Sequence, residues 1–443
     1  MFIKIAQLFL SLTILVTLHE FGHFWFAKKF KCRVDKFYLF FDFLFPFANV
    51  MNFAIFKKKI GDTEYGIGWF PFGGYVQIAG MVDEQMDKTI INSEPQPWEL
   101  RSKPAWQRLL VMLGGILVNL ILGILIFWMC LFAWGKETLP VTNLQHGLMV
   151  DSTAYQMGLR NGDYITSLDG KPVKSITRIP VDLIMNQVST IEGVHATGEK
   201  FSVPVNNDNR SKILKRLKKS NFVEPRVISK VAYIDSTSFA ANADIKVEDR
   251  IIAVNGVRVL YYDELKTQLV KNRSTNVALT ILRGKDTVRT NCQVSGEGTI
   301  GFLKKNVETF KIVEQKFGIG EAFVQGVKDG MELLLMQAKQ FVVIFTVKDA
   351  HQSVGGFYTM VQQMNPEWDW QNFWMFTGFL SLALAFMNFL PIPMLDGGYI
   401  MFILWEMITG KKVSDQVIYY ANNVGLFLVL GLMIYANTDW LRN

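Results

Sequence analysis

The sequence predicts a polytopic α-helical membrane protein with two tandem domains of mixed α and β structure. Hydrophobic residues make up 50% of the 443 residues and charged residues only 19%, below the ~25% of soluble domains. Four apolar segments are long enough to cross a hydrocarbon core of about 30 Å as helices: residues 5–27, 109–134, 373–395 and 417–437. The long segment between the second and third contains an internal repeat, which indicates the further domains.

Charge and cysteine content exclude some classes of protein. The formal net charge is +7, but much of the excess flanks the apolar segments, so we expect no nucleic acid partner. Cys32, Cys130 and Cys292 fall in different regions, which predicts neither a disulfide framework nor a CxxC site. The N-terminus lacks a basic region and a small-residue cleavage site, so we expect residues 5–27 to be retained as a span.

The first span contains an HExxH motif, formed by His19, Glu20 and His23. An ionisable residue in a span is costly and indicates a functional site. Helical spacing places His19 and His23 on one face, where two imidazoles can bind one zinc ion. Glu20 is placed to take a proton from a water at the metal. The motif also occurs by chance in soluble helices, but inside a span that alternative is weak.

Positively charged residues predict the orientation of the spans. They follow the first span, precede the second and separate the last two, so these loops are expected to be cytoplasmic and residues 135–370 external. The first and third spans then both run inward, and Asp396, at the end of the third, reaches the depth of His19 and His23. Two histidines and one carboxylate leave the fourth position of a tetrahedral zinc site open, as catalysis requires. A plain helix end is the alternative at Asp396.

The remaining elements complete the predicted domains. Residues 320–347 carry a helical stripe of apolar side chains interrupted by charges, and we expect them to lie on the outer membrane surface as an amphipathic helix. A span here would reverse the third span and carry Asp396 away from His19. The membrane domains then comprise residues 1–134 and 371–443.

The outer segment is predicted to form two tandem domains, residues 141–222 and 223–304. Asp163–Gly170 recurs as Asp249–Gly256, and a repeat of about 85 residues is too long for a solenoid. The second repeat departs from the glycine turn of the first, since two glycines are replaced: Gly158 by Asp244 and Gly162 by Glu248.

Two motifs together resemble those of the site-2 protease family of zinc intramembrane metalloproteases. They are the HExxH motif in a first span and the NxxPxPxLDGG run from Asn388 to Gly398. The closer likeness is to the bacterial type that cleaves anti-sigma factors and remnant signal peptides. Gly61–Val76 resembles the family's cytoplasmic β-hairpin that re-enters the membrane, Gly115–Asn119 resembles its GxxxN motif, and the outer repeats resemble PDZ domains. The elements follow the family's order over nearly the whole chain.

The resemblance implies a zinc-dependent intramembrane endopeptidase. Its substrates would be single-span membrane proteins, cut within the span after an upstream site-1 protease has trimmed the outer domain, as a step of regulated intramembrane proteolysis. It also implies a multi-pass protein of the bacterial inner membrane, embedded in the lipid bilayer. The PDZ-like domains would lie on the periplasmic side and the active site towards the cytoplasmic side.

A protease of this kind must hold its substrate extended, because a peptide bond inside a helix is shielded. An exposed strand edge can do so by pairing with the substrate backbone. The hairpin loop of residues 60–80 suits that role at Gly73, Gly74 and Tyr75, with an ordinary cytoplasmic hairpin as the alternative.

Asn119 and Asn388 are amides in apolar helices. They can hydrogen-bond the substrate backbone or an oxyanion, or serve only as contacts between helices.

Two rival functions belong to other classes. An inactive scaffold could bind membrane peptides through the hairpin and the PDZ-like domains, although it would not need Glu20. A zinc transporter should show an inverted repeat or further polar residues along a path, and the sequence has neither. The scaffold is the stronger rival.

Overall fold

The computed structural model describes residues 1–44, 51–71, 73–81, 94–216, 221–305 and 313–438. The chain divides into two compact units. We call them the helical unit, which comprises Met1–Gly135, Lys316–Phe341 and Val354–Asn443, and the repeat unit, which comprises Lys136–Gln315 and Val342–Ser353.

The helices and strands have the following bounds. The helices are α1 Phe2–Lys29, α2 Ala105–Trp134, α3 Ser152–Met157, α4 Ile179–Met185, α5 Asn207–Arg216, α6 Phe239–Asn242, α7 Tyr262–Lys271, α8 Ile319–Thr346, α9 Phe357–Gln363, α10 Trp370–Phe389, α11 Asp396–Thr409 and α12 Asp415–Asn437. The strands are β1 Val34–Leu39, β2 Ala54–Ile60, β3 Thr63–Gly68, β4 Tyr75–Ile78, β5 Lys136–Thr138, β6 Leu148–Val150, β7 Tyr164–Leu168, β8 Lys171–Pro172, β9 Thr190–Val194, β10 Lys200–Pro204, β11 Val223–Pro225, β12 Val231–Ile234, β13 Arg250–Val254, β14 Val257–Arg258, β15 Asn276–Arg283, β16 Asp286–Gln293, β17 Phe302–Lys304 and β18 Val313–Gln315.

Within the described residues, four helices are long and apolar enough to cross a membrane: α1, α2, α10 and α12. This confirms the four predicted spans. The third is shorter than predicted, because α10 ends at Phe389 and not at residue 395. Leu390 already has an extended backbone, with φ −63° and ψ 141°. Pro391 follows it, and proline disfavours a helical conformation in the residue before it.

α2 packs against α1, α10 and α11 in the helical unit. Where it crosses α1 the two backbones touch. A Cβ atom on Gly22 would lie 2.4 Å from the carbonyl oxygen of Gly114, and one on Gly114 would lie 2.6 Å from the carbonyl oxygen of Gly22. Small residues allow this close approach between membrane helices. A hydrogen bond from the Ser381 hydroxyl to the Asn119 carbonyl (2.7 Å) joins α10 to α2.

A four-stranded sheet of the helical unit has the strand order β2-β3-β1-β4. β2 and β3 pair as a hairpin, but β1 lies between β3 and β4, parallel to β3 and antiparallel to β4. The single hairpin predicted over residues 60–80 is therefore wrong in its pairing. Among the described strands, β4 is the last on its side of the sheet. Phe72, which belongs to that prediction, lies outside the described residues.

α8 covers nearly the segment predicted as an amphipathic helix, and it is not among the candidate spans of the described chain. Up to Phe341 it belongs to the helical unit, where it packs on α2. Trp128 Nε1 donates to the Ile319 carbonyl at 3.0 Å, and a Cβ atom on Gly326 would lie 2.9 Å from the Trp128 backbone nitrogen. The helix also has exposed apolar residues: Val324, Met331 and Leu335. Its position on a membrane surface stays a prediction.

The repeat unit contains two sheets with the same strand order, β10-β9-β7-β8 and β16-β15-β13-β14. Each repeat adds a two-stranded ladder, β6 with β11 and β12 with β17. Each also has its own apolar core, which includes Ile165 in the first repeat and Ile251 in the second. The sequence repeat is thus a repeat of the fold. β11 pairs with the first repeat, so the first repeat extends beyond the predicted boundary at residue 222.

The turn whose two glycines are replaced in the second repeat has positive φ in both repeats. Gly158 and Gly162 have φ values of 113° and 96°, and their counterparts Asp244 and Glu248 have φ values of 54° and 74°. Positive φ is uncommon for residues other than glycine. The replacements therefore change the side chains of this turn without moving its backbone out of the left-handed region.

Candidate metal centre

Three potential ligand atoms meet in the helical unit. His19 Nε2 and His23 Nε2 are 3.3 Å apart, and each lies 3.3 Å from Asp396 Oδ2. Among the described residues, this is the one cluster of three histidine, cysteine or acidic side chains close enough to hold a metal ion. The two histidines lie four residues apart on α1, as predicted, and Asp396 is the first residue of α11.

The triangle fits a zinc ion. Tetrahedral zinc with ligand bonds of about 2.0–2.1 Å separates its ligand atoms by roughly 3.3–3.4 Å. Asp396 Oδ2 is buried, and among the described residues it accepts no hydrogen bond of good geometry, although the two histidine nitrogens lie 3.3 Å from it. A buried oxygen without a partner costs free energy, and a bound cation removes that cost. Two imidazole nitrogens and a carboxylate oxygen are also a donor set that zinc binds in proteins.

The surroundings of the histidines orient their ligand atoms. His23 Nδ1 lies 2.8 Å from the carbonyl oxygen of Val111, to which it can only donate, so the lone pair of a neutral ring is on Nε2. The amide of Asn119 lies 3.2 Å from His19 Nδ1. Gly115 lies against both rings, since a Cβ atom there would be 2.4 Å from His23 Nε2 and 2.5 Å from His19 Cε1.

A tight turn delivers Asp396 to the histidines. The turn follows α10 and includes Met394, whose φ is +82°. Gly397 and Gly398 pack closely against the backbone of the turn. A Cβ atom on Gly397 would lie 2.1 Å from the Leu390 carbonyl oxygen, and one on Gly398 would lie 2.5 Å from the Ile392 carbonyl oxygen. Asn422 of α12 accepts a hydrogen bond from the Met394 backbone N–H at 3.2 Å. The sequence analysis missed Asn422, whose only signal is an amide in an apolar span.

Glu20 and Asn388 lie beside the three candidate ligands. Glu20 follows His19 on α1 and lies beside the backbone of Val76 in β4. The Asn388 amide nitrogen, near the end of α10, lies 3.3 Å from His19 Nε2. The sheet and α10 therefore both reach the site.

The candidate ligands, Glu20 and Asn388 line a common cavity of about 640 Å³. All nine predicted site residues line it: His19, Glu20, His23, Gly73, Gly74, Tyr75, Asn119, Asn388 and Asp396. Asn422 and Tyr399 line it as well, and the sequence analysis singled out neither.

The apolar helices and this arrangement define the class of the protein as a metalloprotease with several membrane-spanning helices. A family profile then gives the particular family. "Peptidase family M50" matches residues 7–432, and the chain belongs to this family of zinc metalloproteases.

Full-length relatives agree with the family. The chain is 24% identical to "Protease RseP" of Yersinia pestis, with 98% of this chain and 97% of the relative covered. It is 24% identical to "Regulator of sigma E protease" of Haemophilus influenzae, with 99% of each covered. It is 27% identical to a protein of Xylella fastidiosa named "Putative zinc metalloprotease", with 97% of this chain and 96% of the relative covered.

Proposed function

We propose that this chain is an intramembrane endopeptidase that hydrolyses a peptide bond within the transmembrane segment of single-span membrane proteins. The observation that carries the proposal is the triangle of His19, His23 and Asp396 beside Glu20. Two of the ligands and the glutamate belong to a helix apolar enough to span a membrane. Such residues are retained in a span where they have a function.

The proposed chemistry is hydrolysis by an activated water. A zinc ion held by His19, His23 and Asp396 would supply Lewis acidity for the water and for the scissile carbonyl. Glu20 is the general base, taking a proton from the water as its oxygen bonds the carbonyl carbon. Glu20 then gives this proton to the leaving amine as the C–N bond breaks. The position of Glu20 in the cavity, beside the backbone of Val76, supports the role.

We infer that the substrate binds as an extended strand beside β4. Gly73, Gly74 and Tyr75 line the cavity at the start of this strand, and no other strand of the described chain pairs with β4 on its far side. An edge strand can pair with a substrate backbone through main-chain hydrogen bonds. Because β4 also contacts Glu20, a peptide paired there would pass close to the base. A sheet that reaches this residue supports its predicted re-entry into the membrane.

The two asparagines are assigned related roles. We propose that Asn388 hydrogen-bonds the substrate backbone or the oxyanion, since its amide faces the metal-binding nitrogen of His19. Asn119 faces the other ring nitrogen of His19. With the amide turned so that Oδ1 accepts the Nδ1–H, it would also orient that ring, in addition to the substrate contact predicted from the sequence.

The substrate class and cellular location rest on the relatives. Proteins named as regulators of sigma E match the whole chain, and we propose anti-sigma factors and remnant signal peptides as substrates. An upstream site-1 protease would trim them first. The proposed location is the bacterial inner membrane, with the active site towards the cytoplasm and the two repeats, as PDZ-like domains, in the periplasm.

Reconstitution tests the proposed function directly. We expect the purified protein to cut a single-span substrate without its outer domain, and we expect a zinc chelator to stop the reaction and added zinc to restore it. Product masses would locate the bond within the span. Zinc bound to the protein with no cut in any substrate of this class would favour the scaffold.

We further propose that the two repeats act as a size filter. Deleting residues 141–304 should allow cleavage of substrates that keep their outer domain, at a rate close to that of trimmed substrates. That deletion also removes the apolar partners of Val343, Val347 and Ala350, which belong to the core of the first repeat. A matched variant therefore lacks only residues 226–304, leaving β11 with the first repeat. Cleavage confined to trimmed substrates in both variants would contradict the size filter.

A further inference from the structure

Asn422 is a buried amide in the last candidate span, with 1% of its surface exposed. Its side chain joins two other segments of the helical unit. Asn422 Oδ1 accepts the Met394 backbone N–H at 3.2 Å, and Asn422 Nδ2 donates to the Tyr399 hydroxyl at 2.9 Å. An amide in an apolar helix needs such partners, because hydrocarbon offers none.

The Met394 turn has a conformation that needs external support. Its φ of +82° lies in the left-handed region, which side chains other than glycine rarely adopt. Such backbone persists only where the surroundings hold it. The turn continues through a Leu395 N–H to Ile392 carbonyl hydrogen bond at 3.1 Å, and Asp396 is the next residue. The direction of the turn therefore sets the position of the carboxylate.

A second contact presses α12 onto the same turn. A Cβ atom on Gly425 would lie 2.0 Å from the Pro393 carbonyl oxygen, so the α12 backbone touches the turn one residue before Met394. Asn422 and Gly425 are also the two buried residues of α12, a helix that lies entirely within the described chain. The buried part of this helix is thus its contact with the turn that carries Asp396.

We propose that Asn422 is a positioning residue for Asp396, which holds the Met394 turn in the conformation that brings the carboxylate to His19 and His23. The inference rests on the proposed zinc site and extends it to α12. Asn422 does not ligate the metal. The Met394 N–H has no helical carbonyl to donate to, and the Asn422 side-chain oxygen accepts its hydrogen bond instead. The Asn422 amide nitrogen also donates to Tyr399 on α11, so Asn422 connects the turn to that helix.

The test measures zinc affinity of the full-length protein in detergent, by competition with a chelator. We expect Asn422→Leu to weaken zinc binding by about 10–100-fold, the range seen when a partner of a metal ligand is lost. Met394→Gly in the same chain should recover most of that loss, because glycine adopts positive φ without a side-chain penalty. Met394→Gly alone should change the affinity by less than about threefold on the same grounds.

The neighbouring amide provides a matched control. Asn423 Nδ2 donates to the Tyr419 carbonyl within α12, so Asn423→Leu should bind zinc like the wild type. Equal zinc affinity in Asn422→Leu and Asn423→Leu would overturn the inference. An increase in KM with unchanged zinc affinity would also overturn it and make Asn422 a substrate contact, since it lines the cavity. A wild-type chain without zinc affinity would instead overturn the proposed function, and the inference with it.

Discussion

Replacing Glu20 by glutamine is expected to abolish peptide cleavage while zinc stays bound. The amide has nearly the size of the carboxylate but cannot accept the proton of the attacking water. Loss of a general base typically lowers the rate by about 10²–10⁴-fold. Glu20 is not one of the three ligand side chains, so zinc affinity should change little. Cleavage and zinc content would be measured on the same reconstituted samples.

His23→Leu serves as the contrasting variant, because it removes a ligand and should lose zinc and cleavage together. If Glu20→Gln cleaved at a rate within a factor of about ten of the wild type, the 10²–10⁴-fold contribution expected of a general base would be missing. Another group would then have to take the proton.

Gly115→Ala is expected to weaken zinc binding by roughly 10–100-fold although no candidate ligand is changed. The added Cβ atom would lie 2.4 Å from His23 Nε2, the ligand atom itself, and 2.5 Å from His19 Cε1. The His23 ring has little freedom to move away, because its Nδ1 is hydrogen-bonded to the Val111 carbonyl. Inserting a methyl group into packed structure typically costs about 1–3 kcal/mol. Here we expect the added methyl group to displace the imidazoles, so most of that free energy should be measured as a loss of zinc affinity.

Gly123→Ala is the matched control on the same helix. Its added Cβ atom would lie 2.6 Å from Cγ and Cδ2 of the buried Leu382 side chain, so its cost falls on packing against α10 and not on the imidazoles. We expect that variant to keep its zinc and its activity. Equal zinc affinity in the two alanine variants would show that α2 can move away from the imidazoles, contrary to the packing at Gly115.

Much of the candidate metal site, the cluster of His19, His23 and Asp396, could be predicted because its signals are local. His19 and His23 share one helix, so their spacing alone places them together, and the alternation of span direction brings Asp396 to the same depth. The pairing of the sheet could not be predicted in this way. β1 inserts between β3 and β4, and a parallel pairing of β1 with β3 leaves no turn signature between adjacent strands.

Asn422 shows a different limit of the sequence. Asn119, Asn422 and Asn423 are all amides within apolar helices, and composition does not separate them. In the structure one faces an imidazole, one holds a distant turn and one bonds its own helix. The hydrogen-bond partner of each amide depends on which neighbour its helix face contacts, and tertiary packing determines that contact.

The contact between Gly22 and Gly114 has a consequence for how the protein responds to its lipid environment. Helices in a bilayer adjust their tilt to its thickness. Here the crossing of α1 and α2 is backbone against backbone, and the next residue, Gly115, touches both imidazoles. A change in tilt at this crossing cannot be absorbed by flexible side chains before it reaches the histidines. We therefore expect zinc affinity to depend on bilayer thickness, which reconstitution in lipids of different chain length would measure.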